Sequence, residues 1–298
     1  MEKLLIIGGS GLLGGHLIRY AKNDFEVVAT YKHHPFKMDG CRSIHMDITD
    51  RKKTEHLVLK EKPDLIVLTA AQRDLDYCET NKEEVRKINV EGVNNVAEAS
   101  KKVQAKLIFL STDMVYDGKK DHYIEEDSPN PINYYGDTKL KGEIAVANTV
   151  DEYAIARVSF LYDWIIFGHT SNFVAWIFRN LKEGNQIELF TDQLRNATYI
   201  KSACHALINI FNKNENGIFH VAGKTCVTRH YIGMKVAEVF GFDKDLISAS
   251  DSSKSDWRAK RPRKCCLDVN KMKKRLGVNP MDIEEGLLAM KKAATRWD

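Results

Sequence analysis

The chain has 298 residues, enough for one large domain or two modest ones with a full hydrophobic core. With 45 Lys and Arg against 41 Asp and Glu, its net charge of +4 is too small, and its basic residues too little interleaved with aromatics, for a nucleic-acid partner. Hydrophobic residues at 43% and charged residues at 29% suit a globular protein in water, and no uncharged apolar run is long enough to span a bilayer.

In chain order, Leu4–Ile7 is an apolar run ending in glycines, as a buried parallel strand would be. Leu12–Lys22 carries apolar residues at helical spacing, and Glu26–Thr30 reads as a second strand. Asp64–Thr69 follows Pro63 as a strand, and Glu83–Lys102 reads as a long helix. Lys106–Ser111 and Ala154–Val158 are further strands. This alternation predicts an α/β fold, a Rossmann doubly wound parallel sheet covered by helices on both faces. After Phe160 the rhythm changes. Helices are expected at Phe173–Lys182, Ile200–Asn212, His230–Phe240 (stopped by Gly241) and Met281–Ala294, with a strand at Ile187–Phe190. The reading is a dinucleotide-binding domain over 1–160 plus about 187–214. A smaller α/β substrate-binding region takes about 161–186 plus 215–298.

Six cysteines (Cys41, Cys78, Cys204, Cys226, Cys265 and Cys266) contain no CxxC pair, so all six are expected as reduced thiols, and no metal is expected. Met1-Glu2-Lys3 leads straight into an apolar run without the layout of a secretory leader, and a cytoplasmic location is expected. The densest basic stretch, Arg258–Lys264, is either a solvated loop or a ligand contact.

Gly8, Gly11 and Gly14 follow the GxxGxxG spacing between the first strand and first helix. Glycines there allow the tight turn, the approach of a pyrophosphate and close helix–sheet packing, and the helix N-terminus offers free N–H groups to phosphate. Gly8, Ser10, Gly11, Leu12, Leu13 and Gly14 are therefore candidate cofactor contacts. At the end of the second strand an acid would hold the ribose 2′-hydroxyl of NAD. Here the chain reads Ala29-Thr30-Tyr31-Lys32, so Tyr31 and Lys32 point to the 2′-phosphate of NADP(H). Asp47 and Ile48 are candidates to flank the adenine.

Tyr135 and Lys139 form a YxxxK spacing that a helix would place on one face. A lysine ammonium beside a phenol favours phenolate, which would bring Tyr135 nearer neutral pH as a proton donor or acceptor. Thr112, at the C-terminal end of a strand where doubly wound sheets bind ligands, is a candidate to hydrogen-bond the reacting oxygen. Tyr134 is the rival to Tyr135, with a spacing of five to Lys139.

Taken together, GGSGLLG (8–14), TAA (69–71), LSTDMVYDG (110–118), YGDTKLKGE (135–143), ARVSFLY (156–162), TDQLRNATYI (191–200) and RPRKCCLD (261–268) resemble the extended short-chain dehydrogenase/reductases, and within them the dTDP-4-dehydrorhamnose reductase family. The resemblance implies NADPH as hydride donor to a 4-keto-6-deoxy nucleotide sugar, with Thr112, Tyr135 and Lys139 as the catalytic trio. It also implies that Thr69, Ala70 and Ala71 line the cofactor groove and that Asn89, in KINVEG, lies near the site. Arg195 and Arg261 are candidates for the substrate's diphosphate. Three departures fall on the substrate side. Met114 replaces a tyrosine of STDYVF, Phe160 replaces the tryptophan of RTSW, and DQxGxPT loses its glycine and proline at 192–198. A second resemblance is to the NADP-binding regulatory β subunit of methionine adenosyltransferase, through Ala70–Asp74 and Arg261–Asp268. A nucleotide-sugar epimerase fits less well, because no acid follows the second strand. The expected partner is a nucleotide-sugar substrate, with no nucleic acid or membrane, leaving a homodimer open.

Overall fold

The computed structural model describes residues 1–294. Its central sheet has seven parallel strands. They are β1 (Lys3–Ile7), β2 (Glu26–Tyr31), β3 (Cys41–His45), β4 (Leu65–Leu68), β5 (Lys106–Thr112), β6 (Tyr153–Val158) and the edge strand Gly217–Val221. The spatial order is Gly217–Val221, β6, β5, β4, β1, β2, β3. The chain winds outward from β1 in both directions, and the crevice where the direction changes, above β1 and β4, is where such sheets bind ligands.

Strands buried on both faces read as unbroken apolar runs, and β4 (Leu-Ile-Val-Leu) is wholly buried. Helices Leu12–Ala21 and Ile200–Asn212 cover one face. Arg51–Glu61, Val93–Val103 and Tyr134–Thr149 cover the other. The smaller region holds a third core and three short sheets. Among the described residues, no helix is long and apolar enough to cross a membrane.

The expected α/β class is present, and several details differ from the sequence reading. Arg51–Glu61 is a helix that periodicity conceals, because only Thr54, Leu57, Val58 and Glu61 are buried. Its start is marked by Asp50, whose carboxylate accepts from Lys53 N at 3.1 Å. The long helix expected at Glu83–Lys102 forms as Lys82–Arg86 and Val93–Val103 joined by a π-helical turn, Lys87–Gly92. Two placements change. Ile187–Phe190, assigned to the dinucleotide side, pairs with Ile247–Ser250 outside the large sheet. Gly217–Val221, assigned to the substrate side, completes the large sheet beside β6. Met272, Leu276 and Val278 also pack into the core around Leu4 and Leu17.

The expectation of six free thiols is corrected. Cys226 and Cys266 form a disulfide, and Cys41, Cys78, Cys204 and Cys265 are free. The reason is register. The strand Leu194–Asn196 pairs with Cys226–Thr228 on one side and Lys264–Cys265 on the other, which brings together cysteines 40 positions apart. Unfolded without reductant, the protein is expected to titrate four thiols, rising to six after reduction; six at the outset would remove the crosslink. Reduction should also lower the urea midpoint, since a closure of this length contributes about 3–4 kcal/mol by chain entropy.

Candidate active site

A cavity of about 700 Å³ opens along the C-terminal ends of the large sheet and continues against the smaller region. Its floor is the glycine turn. Gly8 sits at φ +99°, and a Cβ there would fall 2.6 Å from Thr69 Oγ1. A Cβ on Gly14 would fall 2.3 Å from the carbonyl oxygen of Gly8, so only glycine lets the first helix start this close to β1. Thr69 braces the turn by donating to the carbonyls of Ile7 and Gly8 at 3.0 and 3.2 Å. Gly8, Ser10, Gly11, Leu12, Leu13 and Gly14 all line the cavity, as do Thr69, Ala70 and Ala71.

Tyr31, Lys32, Asp47 and Ile48 line one end of the same cavity. Lys32 Nζ lies 2.8 Å from Asp47 Oδ2, so Asp47 meets the lysine at this corner. Burial opposes ionisation of Asp47, but bonds from Lys32 and Thr49 hold its carboxyl below the ordinary range. The pair is more than a quarter exposed on each side, and such pairs contribute about 0–1 kcal/mol, so Lys32 is cheaply released to a stronger anion.

Thr112 ends β5, and Tyr135 opens the helix Tyr134–Thr149. Asn133 caps that helix, its Oδ1 accepting from Gly136 N at 2.8 Å. A Cβ on Gly136 would lie 2.2 Å from the carbonyl oxygen of Met114, so glycine lets the helix start press on the turn after β5. That contact brings Tyr135 to Thr112, whose hydroxyl bonds the phenol. Both line the cavity, whereas Tyr134 turns away and donates to the carbonyl of Lys82 at 3.0 Å.

Lys139 lies on the same helix, buried beneath the cavity lining, with Nζ 4.0 Å from the centre of the Phe109 ring. The expected effect on Tyr135 is reversed. Burial pushes the phenol above its ordinary range, outweighing the bond to Thr112. Burial also pulls Lys139 from 10.5 down to about 7, with Glu143 pulling the other way. Asn89, in the π-helical turn, accepts from Gln72 N and donates to Gln72 O, each at 2.9 Å, and reaches Thr138 at 3.2 Å. It therefore ties the loop after β4 to the Tyr135 helix.

On the substrate side Met114 and Phe160 line the cavity. Arg195 and Arg261 do not, which corrects their reading as diphosphate ligands. Arg195 is buried, with Nε 3.3 Å from Asp113 Oδ2 and an Nη donating to the carbonyl of Pro262 at 2.7 Å. Arg261 is held by both oxygens of Asp76, at 3.2 and 3.0 Å, and stacks over Trp257.

The family described as RmlD substrate binding domain matches residues 1–296. The chain belongs to this family. The probable low-salt glycan biosynthesis reductase Agl14 of Haloferax volcanii is 33% identical, over 97% of each chain. Methionine adenosyltransferase 2 subunit beta of Bos taurus is 28% identical over 91% of this chain and 81% of its own. The dTDP-4-dehydrorhamnose reductase of Bacillus anthracis, solved in complex with NADP, superposes with a TM-score of 0.85 at 27% identity. That match covers 98% of this chain and all of the other.

In this member of the RmlD family the segment 164–172 lies across the glycine turn, a feature no sequence motif marked. His169 donates to the carbonyl of Ser10 at 2.9 Å and stacks on His34 at 3.9 Å, and Phe167 packs on Phe36. Only the run of aromatics around the single histidine, His169, in 160–173 hinted at it.

The buried amine of Lys139 makes stability depend on pH within a defined window. Below pH 7 the native protein buries a charge that the unfolded chain solvates, and the cost is complete. From about pH 7 to 10.5 the native amine is neutral, and the cost fades as pH rises. Measured without NADPH, Lys139→Met is expected to gain roughly 1–4 kcal/mol at pH 6. The gain should shrink by pH 9, while NADPH affinity falls. Urea unfolding at both pH values decides it, and a destabilised variant at pH 6 would show a well-partnered ammonium.

Proposed function

We infer that this protein is an NADP(H)-dependent oxidoreductase that reduces the 4-keto group of a 6-deoxy nucleotide sugar. The observation that carries the reading is a single cavity joining the glycine cradle to Thr112 and Tyr135, in a chain similar over nearly its full length to a dTDP-4-dehydrorhamnose reductase solved with NADP. The cradle fits the dinucleotide: because a Cβ at Gly8 or Gly14 would strike Thr69 or the carbonyl of Gly8, glycine there lets the turn and the first helix close on the sheet, with the helix N-terminus lining the cavity where a pyrophosphate would sit. When bound, the nicotinamide supplies the hydride.

The chain's own residues supply the rest. Gly8 to Gly14 and the first helix hold the pyrophosphate, Thr69 to Ala71 flank it, and Tyr31, Lys32, Asp47 and Ile48 surround the adenosine end. Burial keeps Tyr135 a neutral phenol, the form needed to donate a proton to the developing alkoxide. Thr112 hydrogen-bonds the same oxygen. Lys139 orients the nicotinamide ribose and, poised near neutrality, restores the proton to Tyr135. Met114 and Phe160 shape the sugar pocket, with Phe173, Val174 and Ile232 of the second region on its wall.

Cofactor choice tests the first half of this reading. NADPH is expected to bind about ten- to a hundred-fold more tightly than NADH, as one charge-assisted phosphate contact allows. Lys32→Ala should remove most of that margin in a fluorescence titration. Equal affinities in the wild type would defeat the NADP assignment.

Turnover tests the second half. With a panel of 4-keto nucleotide sugars, Tyr135→Phe is expected to lose ~10²–10⁴ of kcat while still binding NADPH, because only the hydroxyl is removed. Tyr134→Phe should retain most activity. The opposite pattern would place the acid one residue earlier. No NADPH oxidation across the panel, together with capture of a methionine adenosyltransferase, would favour a regulatory subunit.

A further inference from the structure

The strap 164–172 is tied to the rest of the molecule unevenly. Its neck is closed by Asn172, whose Nδ2 donates to the carbonyl of Asp163 at 2.8 Å. The Oδ1 of the same side chain caps the helix Phe173–Lys182, accepting from Ala175 N at 2.9 Å. Trp164 is pinned beside it. Its indole donates to the carbonyl of Met290 at 2.7 Å and packs edge-on against Phe178 and Phe240. Its own carbonyl accepts from His16 at 2.8 Å. The chain between is a short surface loop whose ends meet, compact enough to move as one piece.

The apex is fastened more lightly. Residues 167–170 form a tight turn, with Thr170 N and Oγ1 both donating to the carbonyl of Phe167 at 2.9 Å. Gly168 and His169 are exposed. Phe167 rests as an apolar foot on the first helix and on Phe36, with ring centres 5.0 Å apart. Gly15 makes room for it, since a Cβ there would fall 2.8 Å from the ring. Two polar latches then reach the banks of the cavity. On the β2 side His169 donates to the carbonyl of Ser10 and stacks on His34. On the β4 side Arg73 donates to the carbonyl of Ser171 at 3.5 Å. Ser10, His34, Arg73 and the strap residues His169, Thr170, Ser171 and Asn172 all line the cavity. The strap therefore bridges it from bank to bank, over the glycine turn.

We propose that the strap 164–172 is a lid on the cofactor, hinged at Asp163 and Asn172 and latched by His169 and Arg73, which lifts to let NADP(H) enter or leave. This rests on the dinucleotide reading of the cavity and adds to it a step that controls cofactor exchange. A pyrophosphate in the glycine cradle runs beneath the bridge, so its way out passes the latches. A neck fixed by packing and an apex fixed by two bonds and one ring allow the segment to open locally while the domain stays folded.

Stopped-flow fluorescence with NADPH and the full chain tests the lid, association being followed directly and dissociation by a chase with excess NADP. A latch that shuts the cavity slows entry and exit alike. His169→Ala is therefore expected to speed association and dissociation together, by about two- to ten-fold for the loss of one hydrogen bond, and to leave Kd within about twofold. Phe167→Ala, which removes the foot, should act in the same direction on both rates. A histidine that only touched the cofactor would give faster dissociation alone, with Kd rising in step, and that result overturns the proposal. So do unchanged rates in both variants. If the Phe167 variant does not fold, His169→Ala decides, because its side chain is at the surface. Failure of the dinucleotide reading looks different: the wild type binds no NADPH in calorimetry, and the lid falls with it.

Discussion

Asp113 and Arg195 meet in an almost wholly buried pair, and the arrangement of the site depends on it. Asp113 immediately follows Thr112 at the end of the large sheet, and Arg195 lies in the middle strand of the small three-stranded sheet. Ser159 donates to the same carboxylate at 2.7 Å, and Arg195 reaches the carbonyls of Leu194 and Pro262. One ion pair therefore joins the cofactor side to the substrate side directly beneath the reacting groups. Burial pushes Asp113 upward and Arg195 opposes it, so the carboxylate depends on the guanidinium to stay charged. Removing one partner of such a pair typically costs about 3–5 kcal/mol.

A second buried pair sits one layer deeper. Arg157 of β6 grips both oxygens of Glu143 at 3.0 and 2.7 Å, and donates to the hydroxyl of Tyr116, which in turn meets His220 at 2.8 Å. Ser111 also bonds Glu143. This network fastens the Tyr135 helix to the sheet, one turn beyond Lys139. The two pairs fix Thr112 and Tyr135 from below and from the side, which is how a site is held to the tolerance that proton transfer demands. Close approaches at Gly14 and Gly136 finish the work by backbone packing alone.

Much of this was legible in the sequence because it is local. The glycine turn, the βα alternation and the Tyr135–Lys139 spacing each depend on neighbours within a few residues, and the structure brings the glycines and Tyr135 to one cavity with Lys139 buried behind it. What was not legible depends on pairing at a distance. Arg195 and Arg261 look like anion ligands until Asp113 and Asp76 arrive from far along the chain. Cys226 and Cys266 look like free thiols until a third strand aligns them. Gly217–Val221 is too short and too mixed to announce itself as a sheet strand, and its place beside β6 follows from topology. The charge state of Tyr135 is hidden from the sequence for a related reason: spacing reveals a neighbouring lysine but not how deeply both groups are buried.

The hydrophobic layer around Leu4 is closed by Met272, Leu276 and Val278, which lie far from it in the sequence. On the ribosome, the nucleotide-binding half therefore emerges well before the residues at 272–278 that seal it. Between those moments its β1–β6 edge lacks the strand Gly217–Val221. An open edge of that kind is a template for pairing with another nascent chain, so synthesis of this protein leans on whatever shields unfinished sheets.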